Sequence, residues 1–301
     1  MKKALVTGGA GFIGSNLVDA LLDKGLSVTV IDNLSAGKRE NLNSKANFVN
    51  ADIRDIDAIE EAFRGADLVF HTAAMPRVQY SIENPIETHQ VNVTGTLNVL
   101  GLSAKHGVGK FVFSSSSAVY GDSEEGAMKE DDPASPKSPY ALHKYVCEEY
   151  CRLYSEIYSL PTVSLRYFNV YGERQDPEGA YALVIAKFID KKKRGEKLTI
   201  TGDGEQTRDF VHVRDVVRAN ILSAYSTDLN SGEVLNIGSG RSVSVNEIAR
   251  IIGGEAEYID PRLEPRHTLS DCTKAKRLLA WEPAVSPEEG IEELKRMEGL
   301  K

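Results

Sequence analysis

The chain has 301 residues, enough for one large domain or two modest ones, and its formal net charge of −8 argues against a nucleic-acid-binding protein. Its three cysteines show neither zinc-ligand spacing nor a disulfide framework, and no apolar run reaches the roughly 18 residues of a membrane span. A signal peptide fits poorly because Gly8 interrupts the apolar start. We therefore expect a reduced, folded, cytoplasmic protein without a metal, a nucleic-acid partner or a membrane partner.

Strand and helix patterns alternate through the first 170 residues. Nearly continuous apolar runs, such as residues 68–70 and 111–113, are typical of strands covered on both faces. Strands are predicted at residues 3–7, 27–31, 46–50, 67–71, 110–114 and 162–167, and helices at 12–24, 55–63, 89–106 and 138–158. This alternation predicts an α/β fold with a doubly wound parallel (Rossmann) sheet.

The alternation loosens after residue 170. Helices are predicted at residues 181–194, 214–226, 244–252, 271–279 and 287–296, and strands at 197–201, 209–213 and 233–237. We predict an NAD-binding Rossmann domain over residues 1–170. A smaller C-terminal α/β substrate-binding lobe is predicted over residues 171–301, with the chain crossing between the two.

A glycine-rich loop at residues 8–14 follows the first strand and opens the first helix. Glycine lets backbone N–H groups approach a pyrophosphate at the helix N-terminus. Asp32 ends the second strand, where a carboxylate bonds the adenosine ribose hydroxyls and repels a 2′-phosphate. These features predict NAD rather than NADP, although Lys38 and Arg39 stand close enough in the sequence to reach such a phosphate.

Tyr140 and Lys144 lie one helical turn apart and share a helix face. Ser138 and Pro139 are typical of an N-cap and a first helical residue, which places Tyr140 in the first turn. The positive helix end and the Lys144 ammonium both favour the phenolate and would lower the pKa of the tyrosine toward neutrality. The pair therefore predicts a phenolic general base, the alternative being two ordinary residues of an amphipathic helix.

Four serines, residues 114–117, follow the fifth strand. Ligands of open α/β sheets bind at the carboxyl ends of the strands, so these hydroxyls are predicted to lie in the site. The alternative is a polar turn without function.

These motifs, in this order, resemble the extended short-chain dehydrogenase/reductase superfamily. Further stretches narrow the resemblance to nucleotide-sugar-modifying members, above all UDP-glucose 4-epimerases. They are residues 73–74, 92–96, 166–172, 202–204, 207–213 and 236–238. The resemblance covers essentially the whole chain.

The resemblance implies a role for individual residues. Tyr140 is the implied base, Lys144 lowers its pKa, and Ser116 bonds the reacting sugar oxygen. The predicted cofactor-binding residues are Gly8, Gly11, Phe12, Ile13, Gly14, Asp32, Asn33, Asp52, Ile53, Ala73, Asn92, Ser114, Tyr140, Lys144 and Tyr167. The predicted substrate-binding residues are Ser116, Tyr140, Asn169, Arg208, Arg262 (with Arg266 as the alternative) and Thr268.

The implied activity is an NAD-dependent UDP-hexose 4-epimerase that interconverts UDP-glucose and UDP-galactose through a transient 4-keto sugar. A 4,6-dehydratase or a UDP-glucuronate decarboxylase is the alternative, but related enzymes carry a carboxylate just after the catalytic hydroxyl. Here that stretch is Ser117-Ala118, and Glu124 and Glu125 lie too far along. A non-catalytic NAD-sensing protein is a further alternative, which the presence of both Tyr140 and Lys144 disfavours.

Thr268 is the residue that the resemblance places beside C2 of the sugar, with His267 or Leu269 as alternatives if the alignment shifts. A small residue there leaves room for an N-acetyl group, so the N-acetylated substrate pair is also expected.

A homodimer is the predicted assembly, because the helices at 89–106 and 138–158 carry apolar residues on more than one face and resemble a family helix bundle. Cys147 and Cys151 are predicted to be packed in the interior, and the basic run at 191–194 to be a solvated helix end. His71 and His143 are proton donors by proximity only.

Overall fold

A central sheet of seven parallel strands organises the molecule, with the strand order β3-β2-β1-β4-β5-β6-β9. The computed structural model describes residues 2–121, 126–177, 184–261 and 266–300. Within these residues the strands are β1 (Lys3–Thr7), β2 (Ser27–Asp32), β3 (Asn47–Asn50), β4 (Leu68–His71), β5 (Lys110–Ser116), β6 (Thr162–Tyr167), β7 (Leu198–Thr201), β8 (Thr207–Asp209), β9 (Glu233–Ile237), β10 (Ser242–Ser244) and β11 (Ala256–Ile259). The predicted doubly wound α/β fold is confirmed.

Helices cover both faces of this sheet. They are α1 (Phe12–Asp23), α2 (Ile56–Glu60), α3 (Val78–Glu83), α4 (Pro85–His89), α5 (Thr96–Lys105), α6 (Pro139–Tyr158), α7 (Val184–Lys193), α8 (Val213–Tyr225), α9 (Val245–Ile252), α10 (Thr273–Leu279) and α11 (Pro287–Met297). Helices α1 and α8 contribute to the apolar core on one face, and α5 and α6 to the core on the other. Because both faces are covered, every residue of the inner strands β4 and β6 is buried, whether apolar or polar.

The C-terminal elements build a second, smaller core. Helices α7, α9 and α11 pack there with residues of β7 and β10, around side chains such as Phe188, Ile248 and Ile291. Two small sheets accompany them, the parallel pair β7–β11 and the antiparallel pair β8–β10. Strand β9, which follows this region's first elements, returns to the central sheet and pairs with β6. The chain therefore crosses between the two cores.

The helix predicted at residues 89–106 is interrupted and begins earlier in the structure. Helix α4 starts at Pro85, which favours the first helical position, and α3 precedes it. A π-helical turn at Gln90–Gly95 separates α4 from α5 and contains Asn92. Such turns insert an extra residue into a helix and often mark functional sites.

One predicted strand is misplaced, and two were not predicted. The sequence predicts a strand at residues 209–213, but β8 occupies Thr207–Asp209 and α8 already begins at Val213. Residues 210–213 are buried in the connection between them, where His212 forms an isolated parallel bridge with Tyr171 instead of a strand. Strands β10 and β11 have only three and four residues, too few for a periodic pattern to identify them in the sequence. In the described part of the chain, no helix has the length and apolar character needed to cross a membrane.

Candidate active site

The loop after β1 leaves no space for side chains at two of its glycines. A Cβ atom on Gly14 would lie 2.2 Å from the carbonyl oxygen of Gly8, and one on Gly8 would lie 2.7 Å from the backbone nitrogen of Ala73. Gly8 also has a φ of 72°, which L-residues with side chains rarely adopt. Gly11 is the N-cap of α1 and offers no side chain to the first-turn N–H groups, which suits an anion. The loop therefore fits the pyrophosphate of NAD.

One carboxylate, Asp32, ends β2, and another, Asp52, follows the neighbouring strand β3. Asp32 is buried and accepts hydrogen bonds from the backbone N–H groups of Ala10 (3.0 Å) and Leu34 (2.8 Å), so it holds the glycine loop as well. Asp52 accepts hydrogen bonds from Asn33 (2.8 Å) and from the guanidinium of Arg54 (2.8 and 2.9 Å). Hydrogen bonds from Arg54 lower the pKa of Asp52 to about 2. Ile53 is buried directly against Gly95 of the π-helical turn.

Lys38 forms a 3.6 Å ion pair with Asp176 across the surface. Arg39 stacks on the ring of Phe48, with 5.7 Å between its Cζ and the ring centroid. Both basic residues are thus engaged by the protein itself, which supports the prediction of NAD over NADP.

Helix α6 presents the predicted base and its lysine at the carboxyl edge of the sheet. Ser138 caps the helix by accepting a hydrogen bond from the Ala141 N–H, and Pro139 is its first residue, as predicted. Tyr140 and Lys144 are both buried, and the Lys144 ammonium lies 5.9 Å from the centroid of the Tyr140 ring. The two side chains therefore share one face at the start of the helix.

The Lys144 ammonium links α6 to the serine-rich end of β5. Its Nζ donates to the carbonyl oxygen of Ser114 at 2.7 Å. Burial lowers the pKa of Lys144 to about 8, and the neighbouring Glu148 carboxylate opposes that shift. The Ser114 hydroxyl lies 3.1 Å from the Tyr167 hydroxyl in the adjacent strand, while Ser116 ends β5 and accepts a hydrogen bond from Ala118 N–H. The serine end and the Tyr-Lys pair thus meet at one place.

Asn92 connects the π-helical turn to the loop after β4. Its side chain accepts from the Met75 N–H at 2.7 Å and donates to the Met75 carbonyl at 3.0 Å. Ala73, two residues earlier, packs against Gly8. The π-helical turn therefore aligns the predicted cofactor-side residues Ala73 and Asn92 with the glycine loop.

Neither histidine near the site is suited to donate protons at neutral pH. Burial lowers the pKa of His71 to about 3 and that of His143 to about 4. The His71 ring is held between the hydroxyls of Thr7 (2.6 Å) and Thr96 (2.8 Å). Because Thr96 donates to the Asn92 carbonyl, its oxygen accepts from His71, so the ring carries its proton on Nε2. His71 is a structural residue.

The predicted substrate residues gather where β6, β8 and the segment before α10 meet. Asn169 follows β6 and donates to the carbonyl oxygen of Asp209 (2.9 Å) and to the Thr268 hydroxyl (3.3 Å). Arg208 lies in β8, beside the segment that carries Thr268. His267 instead contacts the Thr207 hydroxyl on the exposed side. Arg262 lies outside the described residues, as do Glu124 and Glu125, and its alternative Arg266 is exposed and paired with Asp203.

Several residues of this site are not among those predicted from the sequence. Ser81 in α3 accepts a hydrogen bond from the Tyr140 N–H at 3.1 Å, and Glu148 in α6 binds the Arg166 guanidinium and the Ser115 hydroxyl. Asp209 is completely buried beneath Asn169. Glu148 stands one helical turn after Lys144, and this spacing is a sequence signal that it lies near the lysine. The remaining contacts join residues remote in sequence.

The predictions for the cysteines and for the basic run concern packing and surface contacts. Cys147 and Cys151 are buried in the core, as predicted, and burial raises the pKa of Cys147 to about 11. The basic run at 191–194 is bound by the chain's own groups rather than simply solvated. Lys191 and Lys192 cap carbonyl oxygens, and Lys193 and Arg194 pair with carboxylates.

The parallel sheet, the glycine loop at a helix N-terminus and the Tyr140–Lys144 pair beside a serine-rich strand end define a Rossmann-fold protein of the short-chain dehydrogenase/reductase class. Residues 4–238 match the NAD dependent epimerase/dehydratase family, and the chain belongs to that family. It is an NAD-dependent enzyme of this family, and NAD is its cofactor.

Similar proteins of known description share nearly its whole length. The chain is 40% identical over 304 residues to a UDP-glucose 4-epimerase of Mycolicibacterium smegmatis, covering 96% of each. Among solved structures, it is 43% identical to a UDP-glucose 4-epimerase of Thermotoga maritima with UDP-glucose, with a TM-score of 0.92 over 98% of this chain and 99% of the other. It is 41% identical to a UDP-N-acetylglucosamine 4-epimerase of Methanobrevibacter ruminantium in complex with UDP-N-acetylmuramic acid, with a TM-score of 0.92 over 97% and 96%.

Proposed function

We propose that the protein is a UDP-hexose 4-epimerase that interconverts UDP-glucose and UDP-galactose. The observation that carries the proposal is the meeting of α6 and β5, where the Lys144 ammonium binds the Ser114 carbonyl one turn beyond Tyr140. This arrangement places a phenol, an ammonium and the Ser116 hydroxyl at the carboxyl edge of the sheet. The similarity to two UDP-glucose 4-epimerases supports the same substrate class.

Each residue of the site has its own chemical role in the proposed reaction. NAD, when bound, would supply the hydride acceptor and donor for C4 of the sugar. Tyr140 removes the proton of the C4 hydroxyl and later gives it back, and the nearby Lys144 ammonium stabilises its phenolate. Ser116 hydrogen-bonds the same sugar oxygen. Turning the transient 4-keto sugar about its bond to the diphosphate exposes its other face and inverts C4.

The proposed NAD contacts start from the glycine loop, whose geometry fits a pyrophosphate. Backbone N–H groups of residues 11–14 would hold the pyrophosphate, and Asp32 would hold the adenosine ribose. Asn33, Asp52 and Ile53 would surround the adenine. The predicted contacts at Ala73, Asn92, Ser114 and Tyr167 belong to the nicotinamide side of the same site.

A 4,6-dehydratase or a UDP-glucuronate decarboxylase is the second candidate, since the family includes dehydratases. Elimination of water across C5 and C6 needs an acid–base pair beside the 4-keto sugar. The 3₁₀ turn Ser117–Tyr120, directly after Ser116, contains no carboxylate. This sequence of hydroxyl and apolar residues favours epimerisation.

The deciding experiment is incubation of the purified protein with UDP-galactose carrying deuterium at C4, followed by separation of the C4 epimers and mass analysis. UDP-glucose that retains the deuterium is the expected product, because the hydride returns to its own carbon. The Tyr140→Phe variant, as the matched control, should lose about 10²-fold or more in kcat while still binding NAD. A 4-keto-6-deoxy product would instead identify a 4,6-dehydratase. Carbon dioxide released in a parallel incubation with UDP-glucuronate would identify a decarboxylase.

We also propose that the N-acetylated pair is accepted. Thr268 is small, and of the three residues considered for this position it is the one that contacts Asn169. The similarity to a UDP-N-acetylglucosamine 4-epimerase supports this breadth. Comparing kcat/KM for UDP-glucose and UDP-N-acetylglucosamine tests it, and a wild type inactive on the latter would remove it.

The assembly that we propose is a homodimer in the cytoplasm. Apolar side chains stand exposed along α3, α4 and α6, including Ile82 (52% exposed), Ile86 (77%) and Ile157 (65%). A groove of about 840 Å³ lies between α4 and the start of α6. Exposed apolar side chains on neighbouring helices are typical of an interface, and a second copy would cover them.

A further inference from the structure

The buried carboxylate of Asp209 links the segments that lie around the predicted substrate residues. Asp209 is fully buried, and its side chain accepts hydrogen bonds from Ser239 N–H and Oγ (both 2.6 Å) and from Gly240 N–H (3.1 Å). It also accepts from Ser270 N–H (3.0 Å) and Oγ (2.5 Å). A carboxylate with this many donors ties the loop after β9 and the segment before α10 to the end of β8.

Thr268 lies two residues before Ser270, and both its hydroxyl and its backbone N–H form hydrogen bonds. Its hydroxyl oxygen accepts from the Asn169 amide and from the Asp209 N–H, each at 3.3 Å. Its own N–H donates to the Thr207 carbonyl at 3.2 Å, which fixes the segment to β8. The hydroxyl of Thr268 therefore faces Asn169 rather than solvent.

Asn169 needs such support because its backbone is strained. Its φ of 25° lies in the left-handed region, which asparagine tolerates better than most residues but at a cost. Its amide nitrogen is held by the Asp209 carbonyl and the Thr268 hydroxyl together. The orientation of this amide is thus set by contacts made across the molecule.

We propose that the Thr268 hydroxyl is a positioning group for Asn169, so that residue 268 governs affinity for the nucleotide diphosphate as well as the space beside the sugar. The inference rests on the proposed function, since it assigns Asn169 to the substrate's pyrophosphate. Size alone would make residue 268 matter only for N-acetylated sugars. Coupling through the hydroxyl makes it matter for every UDP-sugar.

Binding of UDP, measured by calorimetry on the NAD-loaded protein, separates these two roles without turnover. Thr268→Val keeps the size and removes the hydroxyl, whereas Thr268→Ser keeps the hydroxyl. We expect the valine variant to bind UDP about fivefold more weakly, the usual effect of one lost hydrogen bond, and the serine variant to bind like the wild type. In kinetics, the valine variant should raise KM for UDP-glucose and UDP-N-acetylglucosamine alike, with little change in kcat.

A double-mutant cycle tests whether the hydroxyl acts through Asn169. Asn169→Gly removes the amide and accepts the positive φ without strain. In that background, Thr268→Val should leave UDP affinity unchanged, because the partner is already absent. An equal loss in both backgrounds, or a valine variant with wild-type affinity, overturns the inference alone.

The same measurements keep this inference distinct from the proposed reaction. If the wild type binds UDP and the cycle behaves as expected but no epimer forms, the reaction is wrong and the positioning role stands. If the wild type fails to bind UDP, the substrate class and the positioning role are overturned together.

Discussion

At the scale of single residues, Lys144 shows how burial and charge compete. Removal from water disfavours the ammonium, and the nearby Glu148 carboxylate restores part of its stability, with the result that the pKa of Lys144 is lowered to about 8. An ordinary surface lysine, with a pKa of about 10.4, would remain charged through the neutral and mildly alkaline range. This one changes its charge just above neutrality, which has a measurable consequence.

We predict an alkaline limb in the pH profile of kcat. The ammonium is the form that supports the Tyr140 phenolate, and it is lost as the pH rises through about 8. Activity should therefore fall between pH 7 and pH 9. Lys144→Arg keeps the charge in this range, so its residual activity should stay level over the same interval. A wild-type profile that is flat to pH 9.5 would contradict the assignment.

Asp32 carries the second residue-scale prediction. Asp32→Asn keeps a side-chain oxygen for the glycine loop but removes the charge that repels a 2′-phosphate. The ratio of NADP to NAD dissociation constants, measured by calorimetry, should fall by about tenfold or more. Asp32→Ala should in addition weaken NAD itself, because the loop loses its anchor. Tighter binding of NADP than NAD by the wild type would reverse this interpretation of the acid.

At the scale of elements, the site depends on the register of α6 against β5 and β6. Glu148 pairs with Arg166 of β6 at 2.7 and 2.9 Å and accepts from the Ser115 hydroxyl of β5 at 2.5 Å. Strands β5 and β6 are themselves paired with Ser115 opposite Arg166. One buried carboxylate thus holds three elements at the level of Ser114–Ser116. A buried ion pair of this type favours a particular arrangement more than it favours stability.

We predict that Glu148→Gln moves the alkaline limb of kcat to lower pH. The amide no longer favours the Lys144 ammonium, and Arg166 is left without its counter-charge. A displacement of about half a pH unit or more is expected, together with a lower melting temperature. Ser115→Ala is the matched control, since it removes a hydrogen bond to Glu148 but no charge. In the Ser115→Ala variant, the pH midpoint of the alkaline limb should equal that of the wild type. Identical midpoints in the two variants would show that Glu148 acts through packing alone.

At the scale of the whole molecule, the parallel sheet extends to β9, which follows the first elements of the smaller core. Its return beside β6 places Asn236 within reach of the Tyr120 hydroxyl (2.6 Å) at the end of β5. The two cores are therefore joined at the carboxyl edge of the sheet, where the substrate residues gather. A further surface, along α4 and α6, carries exposed apolar side chains.

We predict that this surface forms the dimer contact. Ile86→Glu places a charge on the most exposed of these apolar side chains and should convert a dimer into a monomer in sedimentation velocity. Tyr258→Glu is the control, because Tyr258 is similarly exposed (60%) but belongs to β11 in the smaller core. Equal effects of both substitutions, or a monomeric wild type, would contradict the proposed interface.

What the sequence determined by itself is the local architecture and the chemistry with a fixed spacing. The strands of the Rossmann sheet, the glycine loop, the capped start of α6 and the Tyr140–Lys144 pair are all visible because periodicity, turn residues and helical spacing act over a few residues. Thr162–Tyr167 and Glu233–Ile237 even have the predicted bounds. The resemblance carried by these motifs was sufficient to predict NAD as the cofactor and the family.

Only the tertiary structure decided which distant residues support that chemistry. Ser81 with Tyr140, Glu148 with Arg166, and Asp209 with Ser239 and Ser270 are contacts between segments separated by 18 to 61 positions, and no local pattern encodes them. The π-helical turn at Gln90–Gly95 likewise reads as ordinary helix, because its distinction is one inserted residue rather than a composition. The lowered pKa of Lys144 could not be predicted from the sequence either, because it depends on how much water the packed elements exclude.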